Sequence, residues 1–173
     1  MSLVDLMIEQ LAAARHIVED HGAEVIPAWR ITTPEAAYLI FTRFDPDKPE
    51  QRERALLLIS RFMIWKMATS FVLTAESWLG PEETRSGDEA LLVVGVSRHE
   101  RFALLQRISR GDNISFGTAE WLMPEQVDET YFRLLPGGAS EIRRGDRRAR
   151  RHLRQGRRDG SGAVELSCQK PAH

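Results

Sequence analysis

The chain has 173 residues, 42% apolar and 28% charged, enough for one globular domain with a sizeable core and an appendage. Its net charge of −1 conceals an asymmetry: from Glu141 onward ten basic residues stand against four acidic ones, a balance of +6, which leaves −7 on the first 140. The single cysteine, Cys168, excludes an intrachain disulfide and a cysteine-built zinc site, no apolar run reaches the roughly 18 residues of a membrane helix, and MSLVDLMIEQ lacks the basic start of a secretory signal, so a cytoplasmic protein is expected.

In chain order, Ser2 with Asp5 three residues on forms a capping-box pattern that opens a first helix. Val4, Met7, Ile8, Leu11 and Val18 recur at helical spacing, and Gly22 suits the left-handed position just past the helix. Residues 24–32 read as extended, with Pro27 arguing for a sheet edge. AAYLIFTRF (36–44) fits a strand or a short helix; its β-formers and bracketing turns favour the strand. Asp47 as cap, Pro49 in the first turn and Glu50 predict a second helix. Its body, ALLLISRFMIWKMA, is apolar around most of its circumference, as in a central helix covered on more than one side, with Met63, Trp65 and Met67 in core or interface.

Four strands follow, over 70–78, 89–97, 100–109 and 113–121. Their short links force antiparallel neighbours, and ALLVVGV, apolar on both faces, belongs at the sheet centre. PEQVDETYFRLL predicts a last short helix with Val127, Tyr131 and Leu134 or Leu135 inward. The order α-β-β-α-β-β-β-β-α predicts an α+β fold: an antiparallel β-meander packed against an N-terminal helix and an apolar central helix. The expected domain spans 1–137, and an Arg/Gly-rich basic tail, read as disordered, spans 138–173.

No reaction motif stands out. GxxxxGK[ST], GxGxxG after a strand and GxSxG are all absent, and the histidines show no ligand spacing, so no metal or cofactor is expected. Glu76, mid-strand between Thr74 and Trp78, is the first carboxylate to examine: if buried it would suit general acid or base work, and if merely structural it would pair with Arg30, Arg43 or Arg107. Glu120 beside Trp121 echoes it, so acid/base catalysis by Glu76 and Glu120 requires that the two share a cleft. Trp29, Trp78 and Trp121 on strands would suit base stacking, but a −7 domain repels phosphate, and helix-to-sheet packing explains them better.

VLTAESWLG followed by EALLVVGVSR, within the span from about Glu24 to Pro136, resembles small uncharacterised bacterial and phage-associated α+β proteins. The resemblance implies a bacterial or mobile-element origin and carries no catalytic residues. In the tail, Arg143, Arg144, Arg147, Arg148, Arg150, Arg151, Arg154, Arg157 and Arg158 would neutralise several phosphates in a salt-sensitive, sequence-independent complex with nucleic acid. Two other readings stand beside that one: an appendage lying on the acidic domain, and an aberrant terminus from a shifted reading frame. The leading expectation is a non-enzymatic interaction or structural protein that dimerises through the second helix or a sheet edge. Nucleic-acid association through the tail is the first alternative, and acid/base catalysis by the two glutamates the second.

Overall fold

In the computed structural model, which describes residues 1–44, 48–79, 88–127, 129–135 and 167–169, the core is two layers of side chains, one on each side of a single antiparallel sheet. The fold is α+β. Helix α1 (Leu3–His21) is followed by β1 (Ala28–Thr32), β2 (Ala37–Phe41), helix α2 (Pro49–Trp65) and four strands: β3 (Ser70–Leu79), β4 (Asp88–Ser97), β5 (Arg101–Arg110) and β6 (Ile114–Leu122). A 3₁₀ turn at Pro124–Gln126, a short helix α3 (Glu129–Phe132) and a strand β7 (Ser167–Gln169) complete the described elements. The sheet order is β6-β5-β4-β3-β1-β2-β7, with every pair antiparallel.

Helix α1 begins as its sequence dictates. Asp5 N–H donates to Ser2 Oγ at 3.1 Å and Ser2 N–H donates to Asp5 Oδ2 at 2.8 Å, the reciprocal bonds of a capping box. The hydrogen bond with Ser2 holds the Asp5 carboxyl below its ordinary 3.8. At the other end Gly22 takes φ 57°, and its N–H returns to Val18 O at 2.9 Å. The buried face runs through Leu3, Leu6, Met7, Leu11, Ala14 and Val18; of the expected stripe, Ile8 turns out to solvent. This face lies over β3 and β4, and Gly95 is what lets it sit so close: a Cβ there would fall on Met7 Sδ and within 3.3 Å of Leu3 Cγ.

On the other side α2, which also buries Ala55, packs Ile59 and Met63 onto Trp29, Ile31, Phe71 and Leu73. Val127, Phe132, Leu134 and Leu135 join the same cluster, so the expected last helix forms as a 3₁₀ turn plus one helical turn. Helix α2 begins with Lys48 at its N-cap position and Pro49 in its first turn, whereas Asp47 lies outside the described residues. Met63 is core, but Trp65 is 36% and Met67 52% exposed, so α2 is covered along one face rather than around its circumference.

Strand β4 is the central element of the prediction. Leu91 and Val93 face α1, while Leu92, Val94 and Val96 face the α2 side. Strand β1 differs from expectation: it lies between β3 and β2, inside the sheet. Pro27 is compatible with that place because the strand starts one residue later, so its missing N–H is not needed in the ladder.

Candidate functional site

In an antiparallel sheet, directly opposed residues share a face, so the register places every candidate. Glu76 belongs to the row Glu76–Leu91–Gln106–Ala119, on the α1 side. Its side chain is 8% exposed and both oxygens are engaged: Oε2 accepts from Val25 N–H at 3.0 Å and Oε1 from Arg110 Nη2 at 2.9 Å. Arg110, at the end of β5, also donates through Nε to Glu89 Oε2 and through Nη1 to the Gly22 carbonyl at 3.1 Å. Burial opposes the Arg110 charge, but the hydrogen bonds and negative charges of Glu76 and Glu89 outweigh it and hold the guanidinium above its ordinary value. The carbonyl it reaches lies at the C-terminal end of α1, where the helix dipole favours a cation.

The cluster thus fastens the α1–β1 connection to β3, β4 and β5. Its chemistry is that of a structural tie: Glu76 would have to release the Val25 amide or the guanidinium to exchange a proton with a substrate. Arg30, one of its expected partners, instead reaches Glu9 at 2.9 Å. The actual partner, Arg110, reads in the sequence as the first residue of a turn, and only the β5 register carries it to Glu76.

Glu120 belongs to the row Ala75–Leu92–Leu105–Glu120, which faces the α2 side, and is exposed. Glu76 and Glu120 are therefore on opposite faces of the sheet with β4 and β5 between them. They do not share a cleft, and the arrangement required for joint acid/base catalysis is not formed. An open depression of about 450 Å³ lies elsewhere, lined by Glu24, Ile26, Pro27, Arg43, Phe44 and Gln51, and includes neither carboxylate.

The tryptophans divide. Trp29 is 1% exposed, donates from Nε1 to Thr42 Oγ1 at 3.0 Å and packs on Phe71 with ring centroids 5.7 Å apart, which is the expected packing role. Trp121 is 52% exposed, held edge-on by Phe102 at 6.0 Å. The side chain of Trp78 lies outside the described residues, as do all nine tail arginines named above. His16 faces solvent on α1, 3.1 Å from Asp20, and His99 is exposed in the β4–β5 turn. Among the described residues no group of three or more His, Cys, Asp or Glu side chains is placed to hold a metal ion, and no helix is long and apolar enough to cross a membrane.

Among the described residues, besides Met1 and the α1 residues Ile8 and Ile17, large apolar side chains are exposed at two further places. One is the outer side of α2 and its end, with Leu57, Trp65 and Met67. The other is the end of β6, where Trp121 and Met123 are each more than half exposed. The two sheet edges also differ: β2 carries β7, through Leu39↔Gln169, Ile40↔Cys168 and Phe41↔Ser167, whereas β6 pairs with β5 alone among the described residues. No family model, curated protein or solved structure matches this chain.

Proposed function

We propose that this is a non-enzymatic interaction protein that works by contact with another protein. The observation that carries the reading is a strand, β6, that among the described residues pairs on one side only, with β5, and at whose end a tryptophan and a methionine are both more than half exposed. Edge strands recruit extended chains through their free backbone groups, and exposed aromatic and methionine side chains are enriched where proteins meet. The buried, doubly bonded state of Glu76 supports the same reading, because the best carboxylate for catalysis is spent on holding the fold.

Sedimentation velocity of the fluorescently labelled full chain, alone and in an extract of the cells that express it, tests the proposal. Association that weakens at least tenfold in Trp121→Glu or Leu57→Glu, with unchanged circular dichroism, supports it. A chain that associates with nothing, or associates equally in both variants, overturns it.

A further inference from the structure

We propose that residues 167–169 guard the β2 edge: they close it in cis as a removable seventh strand, and their release opens it to pairing. This edge lies opposite β6, so the proposal does not depend on the interaction reading above.

The two outer strands are built differently. Strand β6 carries its own obstacles to pairing. Between Ile108↔Phe116 and Gln106↔Ala119 its ladder slips, leaving Gly117 and Thr118 as a bulge opposite Arg107, and Gln106 Nε2 donates to the Gly117 carbonyl at 2.8 Å. Glu120 adds a charge. Strand β2, AYLIF, has no charge, no proline and no bulge, and it pairs with β1 in unbroken register from Ala37 to Phe41. A regular, uncharged apolar edge is the kind that recruits other chains, and covering it with another segment is one way in which proteins prevent this. It is β2 that β7 covers.

Hydrogen-bond direction shows that the cover fits. The β1–β2 hairpin is bounded by Thr33 N–H donating to the Ala36 carbonyl and Thr42 N–H donating to the Pro27 carbonyl, both at 2.9 Å. Backbone groups alternate in direction along a strand, so Tyr38 and Ile40, in step with Ala36 and Thr42, address β1. Leu39 and Phe41 therefore point their N–H and C=O groups outward, and these two stand opposite Gln169 and Ser167. Between them Ile40↔Cys168 is the non-hydrogen-bonded pair. Pro171, two residues past Gln169, has no N–H with which to carry the ladder further. A strand of three residues is shorter than most, and β7 pairs with β2 alone among the described residues, so it belongs to the part of the fold that opens most easily. Such a guard comes away without unfolding the sheet beneath it.

Backbone amide exchange, followed by NMR in the full chain and in a chain ending at Leu166, tests this. Without residues 167–173 the Leu39 and Phe41 amides are expected to exchange at least tenfold faster, while Tyr38 and Ile40 keep their rates. In sedimentation equilibrium the shortened chain is expected to associate at least tenfold more strongly than the full chain, and Leu39→Pro, which removes an outward N–H, to abolish that gain. A disulfide decides whether closure is in cis, because directly opposed Cα atoms about 4.5–5.5 Å apart lie within the roughly 4.4–6.8 Å that a disulfide spans. In a full chain with Cys168→Ser, Leu39→Cys with Gln169→Cys is expected to give an intrachain bond in a monomer, and Glu120→Cys with Gln169→Cys none. This arm decides the question even where truncation unfolds the domain. Equal Leu39 and Phe41 exchange in both chains, a disulfide that joins two chains, or association that truncation leaves unchanged overturns the proposal. None of these results bears on contact through Trp121 or Leu57, so the interaction reading stands or falls separately.

Discussion

Replacing Glu76 with alanine separates a structural carboxylate from a catalytic one. The substitution strands the Val25 N–H, which donates to Oε2 at 3.0 Å, and removes the ion pair to Arg110 at 2.9 Å. A hydrogen bond to a charged group contributes about 1.5–3 kcal/mol. The Arg110 side chain is 26% exposed, so its pairing, screened by solvent, adds about 1 kcal/mol. Glu76→Ala should therefore cost about 3 kcal/mol, and Glu76→Gln, which keeps an acceptor for Val25 but no charge for Arg110, about half of that. In a domain of this size a loss of 3 kcal/mol lowers Tm by roughly 10 °C. Urea unfolding followed by circular dichroism measures it, with an unchanged m-value as the check that the folded and unfolded states are otherwise the same. Combined with Arg110→Met, the two losses should fall short of additivity by about 1 kcal/mol, because each single change already breaks the pair. A Glu76→Ala protein as stable as wild type, or more stable, would refute the reasoning, since a carboxylate held at a cost to stability is the mark of a functional site.

Two further predictions rest on α1. Gly95→Ala places a methyl group against Met7, which has no exposed surface to retreat into, and should destabilise by about 1–3 kcal/mol; Met7→Ala should recover part of that loss, which a double-mutant cycle in urea would quantify. The depressed Asp5 pKa means that the capping box stabilises α1 above the ordinary carboxylate pKa and loses that contribution as pH falls through the folded value. An NMR titration should therefore place the Asp5 midpoint below 3.8, and Ser2→Ala should move it upward.

Much of the architecture is readable from local signals. Ser2, Asp5 and Gly22 mark the ends of α1 because capping depends on residues within a few positions of each other. The apolar run of β4 implies burial on both faces, and the short links between β3, β4, β5 and β6 imply antiparallel pairing, because neither inference needs distant contacts. Burial at the second helix was less legible. The body of α2 reads as apolar around most of its circumference, but the side that stays exposed depends on which elements pack against it, and they fully bury only Ala55, Ile59 and Met63. The place of β1 inside the sheet was hidden for the same reason, since Pro27 says only that its own N–H is absent.

The candidate site turns on something still less local. With the register of Ile108↔Phe116 continued, Glu120 would face Leu104 on the α1 side of the sheet, the side that holds Glu76. The bulge at Gly117 and Thr118 inserts one residue, and a one-residue slip exchanges the faces of everything beyond it. The sequence by itself determined helices α1 and α2, strands β1 to β6 and the antiparallel pairing of β3 through β6. Tertiary structure decided that Glu76 meets Arg110, that Glu120 faces away from it, and that Trp121 stands on a strand that only β5 pairs among the described residues, because strand register is fixed by pairing between segments.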